Sequence, residues 1–385
     1  NGTGYQEEVF NEKMPNNGYF SLYQDNIISR DEQVKIKTLA FYLPQFHRFP
    51  ENDEWWGEGF TEWTNTRKSA PRYRGHYQPR EPHEDIGYYD LSDVQVIKKQ
   101  VKLAKQHGLY GFCIYYYWFS GKTLMETPIN LLFTHPEIDI KYCLCWANES
   151  WTRTWDGMKN NILIEQKYTY DDSINFICDI KKYFNDNRYI RHNGKPVVVV
   201  YNPGDIPKVK RVFGKWKSVA KEIGVGDISI WICRSFNNGI KELGLDDIVD
   251  KEIEFPPHNF GNLPIAVENP NIKLNDSYIW NYTSLVDYIL NHRESNEYNQ
   301  KLCRTVMLGW DNSARRANGF NSFDNFDIHK YYIWLRSNVD ETINNHAIND
   351  RYVFINAWNE WAEGTYLEPD ARYGYSYLNV TSLAI

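Results

Sequence analysis

"SDVQVIKKQVKLAKQHGLYGFCIYYYWFSGK", residues 92 to 122, holds one full unit of the pattern that decides the fold. Val94, Ile97, Val101 and Ala104 recur at helical spacing and form one apolar stripe over residues 92 to 107. Ser92 and Gln95 stand three apart, where a capping box would open the helix, and Gly108 supplies its stop. Directly afterwards "GFCIYYY" (111 to 117) is a β-branched and aromatic run that reads as a strand, followed by the polar turn "SGK".

The same grammar recurs along the chain. Further strand-like runs are "TLAFYLP" (38 to 44), "YCLCWA" (142 to 147), "PVVVVYN" (196 to 202), "ISIWICRS" (228 to 235), "IVDKEIEF" (248 to 255), "RTVMLGW" (304 to 310) and "YVFINAW" (352 to 358). Helical patterns occupy about 172 to 185, 206 to 223, 284 to 296 and 327 to 345. Alternating strands and helices predict a parallel sheet, and eight rounds predict an α/β fold of the closed (β/α)8 TIM barrel type. An open doubly wound sheet is the competing arrangement, but no GxGxxG follows a strand. No composition break marks a linker, so a single barrel domain is expected over residues 35 to 385. Residues 1 to 34, rich in Asn, Gly and acids, read as an N-terminal extension. The stretch from 45 to 90 is too long for an ordinary βα loop, and its Trp, Tyr, His and Arg content points to function.

Composition narrows the partners. The 385 residues carry a formal net charge of -7 with both signs mixed throughout, which argues against nucleic acid and anionic membranes. Aromatic residues make up 16%, with 14 Trp and 29 Tyr, a share that fits surfaces stacking flat sugar rings. Five of the six cysteines (Cys113, Cys143, Cys145, Cys233 and Cys303, with Cys178 the exception) fall in strand-like runs and read as buried free thiols. They favour a reducing, cytoplasmic compartment; no Cys or His spacing suggests a metal site. No apolar stretch approaches the roughly 18 residues of a membrane span. Residue 1 is Asn, so the chain reads as processed or excised, and a periplasmic or secreted location stays open if a signal peptide has been removed. Oligomeric state is not legible.

In a (β/α)8 barrel the active site forms at the C-terminal ends of the strands. There the chain places "PQFHRF", "YYWFSGK", "WANESWTRTWDG", "FPPHNF", "WDNSARR" and "WNEWAEG". Glu360 and Glu363, three apart with Trp358 and Trp361 interleaved, suit glycosidic bond chemistry, in which one acid protonates the leaving oxygen and a second acts as base or nucleophile. Desolvation by the indoles would raise one of the two carboxyls. The competing reading is a pair in the first turn of a helix, stabilised by its dipole. That plainer, structural role suits Glu368 better. Asn148, Glu149, Arg153, Trp155 and Asp156 after the third strand are candidates to bind a sugar, although Arg153 and Asp156 would also pair to hold their loop. His47, Trp63, Tyr115, Tyr117, Trp118 and Trp310 are further pocket candidates, with Asn359 and Trp361 beside the glutamates. Glu254 ends the sixth strand and is either a third functional carboxylate or half of a buried salt bridge.

"FYLPQFH", "GHYQP", "YYYWFSGK", "CLCWANESWTRTWDG" and "WNEWAEGTYLEP" together resemble the WbsX-like family of polysaccharide gene clusters, over roughly residues 35 to 380. That family is often labelled glycosyltransferase. It is in turn similar to glycoside hydrolase family 99, the endo-α-1,2-mannosidases and mannanases, a weaker likeness that rests here on "NEWAEGTYLEP". The first strand departs from the mannosidase pattern, and Ser150 stands where WbsX-like sequences usually carry Asn, which leaves the sugar open. The resemblance implies that Glu363 is the general acid and later the base towards water, while Glu360 takes the proton of the sugar's own 2-hydroxyl. It implies a 1,2-anhydro intermediate, net retention, mannose- or rhamnose-configured oligo- or polysaccharide substrates, and no cofactor or metal. The alternatives are a glycosyltransferase of polysaccharide (O-antigen) biosynthesis using the same pocket, and a catalytically silent carbohydrate-binding barrel, which the presence of both glutamates disfavours. Against transfer from a nucleotide sugar stand the lack of an Asp-x-Asp motif in the mouth and of a glycine-rich phosphate loop. Arg315 and Arg316 after the seventh strand are the main evidence for it, since they could meet a phosphate, although they would equally suit an acidic sugar.

Overall fold

The computed structural model describes residues 22–23, 35–152, 162–236, 238–258, 276–293 and 299–385. The expected extension, residues 1 to 34, lies outside them apart from Leu22 and Tyr23. Eight parallel strands close on themselves: β1 (Lys37–Tyr42), β2 (Gly111–Phe119), β3 (Lys141–Trp146), β4 (Lys195–Val200), β5 (Ser229–Cys233), β6 (Lys251–Ile253), β7 (Leu302–Met307) and β8 (Tyr352–Asn356). Each pairs with its sequence neighbour, and β1 completes the ring by pairing with both β2 and β8, Leu39 lying opposite Gly111 on one side and Phe354 on the other. All eight strand expectations hold, with ends shifted by a few residues.

The barrel is filled, not hollow. Phe41 stands within 5.1 Å of Phe255, 5.5 Å of Phe354 and 5.7 Å of Tyr115, ring centre to ring centre, so inward side chains of several strands meet in one layer. Below it Trp231 packs edge-on to Tyr352. This packing forms the floor of whatever cavity lies above. Burial pushes the thiols of Cys113, Cys145, Cys233 and Cys303 up, and a hydrogen bond with Cys113 together with burial raises Cys143, as expected of inert core cysteines, whereas Cys178 is exposed.

The segment between β1 and β2 carries two short helices, α1 (Pro50–Trp56) and α2 (Glu62–Lys68), before the helix that returns to the sheet, α3 (Val94–Gln106). Ile97, Val101 and Ala104 of α3 are buried as their spacing predicts. The cap differs by one residue: Asp93, not Ser92, accepts from Gln95 N at 2.8 Å, while the Ser92 hydroxyl donates to Asp90 at 2.6 Å. Outside the ring lie α4 (Thr127–Thr134), α5 (Tyr170–Phe184), α6 (Val209–Glu222), α7 (Tyr282–Asn291), α8 (Ile328–Asn345) and α9 (Ser376–Ala384). None of the helices among the described residues is long and apolar enough to cross a membrane.

Glu368 is fully buried between this shell and β1, where it accepts from Tyr89 Oη at 2.6 Å, Trp361 Nε1 at 3.2 Å and Gln100 Nε2 at 3.3 Å. Burial lifts its carboxyl to about 7 although these three donors oppose the shift. A carboxyl raised in the folded state carries no penalty below its unfolded value. It costs stability progressively as pH rises through the window up to the folded value, where the unfolded chain ionises and the folded one does not. Glu368→Gln is therefore expected to gain melting temperature over the parent at pH 8, corresponding to about 2–3 kcal/mol, with the gain shrinking toward pH 4. Paired thermal melts at the two pH values check this, and a pH-independent difference would refute it.

Candidate active site

Beyond Asn356 the chain does not start an α-helix. Asn359–Glu360 pairs antiparallel with Thr365–Tyr366, and Trp361–Glu363 makes a single 3-10 turn between them. The helix-dipole reading of the two glutamates therefore falls away. Gly364 closes the turn at φ +65°, and a Cβ there would lie 3.0 Å from Cβ of Asp311, so both backbone sign and space require glycine. That close approach lets Asp311 N donate to the Glu363 carbonyl at 2.6 Å, which clamps the β8 loop to the β7 loop.

Asp311 is held in turn from the long β1 segment. His76 Nε2 lies 2.6 Å from its carboxylate and Gln78 Nε2 donates at 2.9 Å, both from the "GHYQP" motif. Burial would raise this carboxyl, but the hydrogen bonds from His76 and Ser313 and the charge of Arg80 keep it below the ordinary value. Asn359 ties the other side: its amide donates to Leu43 O at 2.9 Å and accepts from Leu43 N at 2.7 Å. The turn bearing both glutamates is thus fastened to the end of β1 by the Asn359 side chain and to the β7 loop by a backbone hydrogen bond.

The two carboxylates open on a cleft of about 750 Å³ at the C-terminal mouth of the barrel. Arg315 crosses its floor: Nη1 lies 2.7 Å from Glu363 Oε1, Nη2 2.6 Å from Glu360 Oε1, and Nε and Nη2 lie 3.1 and 3.0 Å from Glu62 Oε2. Side-chain exposure is 5% for Glu62, 7% for Glu360 and 18% for Glu363. Burial drives Glu360 upward, Arg315 opposes it, and Glu363 and Glu62 add to the rise, to about 8. Glu363 is likewise raised by burial, against Arg315 and Arg316 and with Glu62. The proton belongs to the pair rather than to either residue.

Of the residues expected at the site, Tyr115, Tyr117, Glu149, Glu360 and Glu363 line the cleft. Glu149 accepts from Asn202 Nδ2 at 3.3 Å and is also raised by burial. Others face elsewhere. Strand side chains alternate, so with Tyr115 and Tyr117 inward, Trp118 points out and donates Nε1 to Asp179 of α5 at 2.7 Å. Trp361 stacks on Tyr366 at 3.8 Å and packs against Trp63, whose Nε1 donates to Tyr89 O at 2.8 Å; both indoles are structural supports. Trp358 is likewise buried against Phe112, so the indoles beside the glutamates do not form the cleft wall. Asn148 is fully buried, bonded to Asn202 O at 2.7 Å, and His47 is buried with Nδ1 2.9 Å from Pro44 O. Trp310 is buried outside the lining, and Asn359 serves Leu43 as described. Glu254 is half of a salt bridge, 2.6 Å from Arg304 Nη1, as one of its two expected readings had it, and is not among the residues lining the cleft. Arg153, Trp155 and Asp156 lie outside the described residues.

Several lining residues were not anticipated: Gln45, Trp55, Trp56, Phe60 and Glu62 from the β1 segment, Trp151, and Tyr201 at the end of β4. Tyr201 succeeds four valines at a strand's C-terminal end, a position that the barrel rule points to directly. For Glu62 the sole signal was the aromatic and charged character of its long loop. Among the described residues no group of three or more His, Cys, Asp or Glu is arranged to hold a metal ion.

Known proteins share this fold. Two strains of Xanthomonas campestris pathovar campestris have a protein called WxcX that is 38% identical to this chain, over 366 residues in one and 360 in the other, covering 93% and 92% of it. The chain spans about half the length of these curated relatives, 51% and 50%. Among solved structures, a glycoside hydrolase-like protein superposes with a TM-score of 0.56 at 14% identity, over 95% of this chain and 96% of its own. The family 99 endo-α-mannosidase of Bacteroides thetaiotaomicron gives 0.51 at 16% identity, over 90% and 96%. At such identities the likeness concerns the fold. The family model described as "Glycosyltransferase WbsX" matches residues 38–381, and the chain belongs to that family.

Proposed function

We propose that the protein is a retaining glycoside hydrolase that cleaves a mannose- or rhamnose-configured linkage in an oligo- or polysaccharide. The observation that carries this reading is the pair itself: a buried glutamate and a partly buried one on one tight turn, both raised, facing a tyrosine- and tryptophan-walled cleft at the barrel's C-terminal mouth. Glu360 removes the proton from the sugar's 2-hydroxyl as that oxygen attacks the anomeric carbon. Glu363 gives its proton to the leaving oxygen. In the second half Glu363 takes a proton from water, which opens the 1,2-anhydro ring at the anomeric carbon, and Glu360 returns its proton to the 2-oxygen. Two inversions give net retention, and both carboxyls recover their starting states. The fold shared with an endo-α-mannosidase supports the choice of sugar, since the 2-oxygen must lie trans to the leaving group.

A second reading, transfer from a nucleotide sugar, is favoured by the family's description as a glycosyltransferase. It requires a diphosphate site, usually built from basic groups, helix N-termini or a bound metal. Arg315, the arginine best placed in the cleft, is engaged by three carboxylates instead. The cleft lining also carries more acids (Glu62, Glu149, Asp205, Glu360 and Glu363) than bases (Lys68, Arg315 and Arg316).

Two outcomes are expected. Glu363→Gln should lose about 100-fold or more on oligosaccharides while sparing activated aryl glycosides, because a good leaving group needs little protonation; Glu360→Gln should depress both. Steady-state kinetics on the two substrate types decide, and equal mild losses would assign both residues to structure. In calorimetry, UDP-, GDP- and dTDP-sugars should show no binding with or without manganese, whereas mannose- or rhamnose-configured oligosaccharides bind and are cleaved with retention. Metal-dependent nucleotide-sugar binding that survives Glu360→Gln would overturn the hydrolase reading.

A further inference from the structure

We propose that Glu62, acting through Arg315, is a positioning residue that makes the Glu360 and Glu363 pair retain one shared proton, and so sets the pH range in which the site works. The inference rests on the reading of that pair as base and acid. Its ground is the arrangement of charge. One guanidinium meets three carboxylates, and Glu62 takes two of its N–H directions, at 3.1 and 3.0 Å, leaving Nη1 and a shared Nη2 for the pair. Were all three ionised, the cluster would keep two uncompensated negative charges largely out of water, which is strongly unfavourable. Binding one proton relieves it. With Glu62 neutral, the guanidinium would instead face only two carboxylates, and the pair could ionise more readily.

The other groups that face the pair act in both directions. Arg316 adds a positive influence on Glu363, and Glu149 with its neighbour Asp205 adds negative charge from the β3 and β4 side. Tyr115, Tyr117 and Tyr201 are raised by burial and stay neutral phenols. Glu62 is also held where it acts. Its backbone N donates to Gln45 O at 3.2 Å, and the next residue, Trp63, packs on Trp361 at 5.3 Å, so α2 sits on the very turn that bears Glu360 and Glu363. A glutamate needed merely to hold Arg315 would be replaceable by glutamine, whose carbonyl still accepts from Nε and Nη2. Charge and hydrogen bonding are therefore separable by experiment.

The test is a carbon-13 NMR titration of the side-chain carboxyls in the full chain, without substrate, with Glu360→Gln and Glu363→Gln used to assign the two resonances. In the parent, one of the pair is expected to stay protonated above pH 6, against an ordinary value of about 4.3. In Glu62→Gln both midpoints should fall, by about one pH unit or more, the scale expected for a carboxylate charge within ~6 Å. Glu62→Asp, which restores the charge, should return them toward the parent. The pH–rate profile on a cleaved oligosaccharide should move in the same direction. Unmoved midpoints in a folded Glu62→Gln protein would overturn the proposal even if the protein cleaves glycosides. Should that variant not fold, a parent whose two carboxyls both titrate near 4.3 overturns it equally. A titration that shifts as expected in a protein that cleaves no glycoside supports the proton inventory and refutes the hydrolase reading alone.

Discussion

A single guanidinium holds together three carboxylates that would otherwise repel one another, and the shape of the cleft depends on it. Arg315 comes from the β7 loop, Glu360 and Glu363 from the β8 loop, and Glu62 from the segment after β1. Each buried ion loses several kcal/mol of hydration, so the arrangement is stable only if every charge finds partners. Leaving the carboxylates without Arg315 would cost about 3–5 kcal/mol on the scale of broken buried pairs. Arg315 is therefore the point at which three separate loops meet. The aromatic walls then have a fixed floor to stand on.

Such a cluster needs a rigid frame, because a guanidinium displaced by an ångström would satisfy fewer partners. The frame is supplied by the β1 segment. His76 and Gln78 hold Asp311, Asp311 N holds the Glu363 carbonyl, and Asn359 pins Leu43 at the end of β1. None of these residues needs to touch a substrate. The long insertion after β1 thus works as a brace across the barrel mouth while also presenting Trp55, Trp56 and Phe60 to the cleft.

The barrel was legible in the sequence because eight apolar runs and the stripes between them report burial directly, and burial is what periodicity encodes. The pair Glu360 and Glu363 was legible because chemistry restricts its residue types and the barrel rule restricts its place. Reading failed where a residue's neighbours are distant in the chain. Trp358 and Trp361 flank the glutamates, yet they face the core, and the rings that line the cleft come from six other segments. Trp118 was misplaced although strand parity already opposed it to Tyr115 and Tyr117. Glu254 meets Arg304 across 50 residues of sequence, and Glu62 meets Arg315 across 253; neither partnership leaves a local trace.

The same geometry bears on the tension between a barrel fold shared with a glycoside hydrolase-like protein and a family described as glycosyltransferase. In the proposed chemistry the first half reaction does not depend on the acceptor: the 2-oxygen attacks, the leaving oxygen is protonated, and a reactive anhydro sugar remains. Glu363, now a base, deprotonates whichever hydroxyl occupies the leaving-group side, whether water or another sugar. Hydrolysis and sugar-to-sugar transfer thus differ in the acceptor, not in the residues that act. A nucleotide-sugar donor is a different matter, because its diphosphate must be met by positive charge left over after the protein's own acids are served. Arg315 is bound to three of those acids, so on the proposed reading this cleft is better suited to proton transfer at a glycosidic bond than to meeting a glycosyl phosphate.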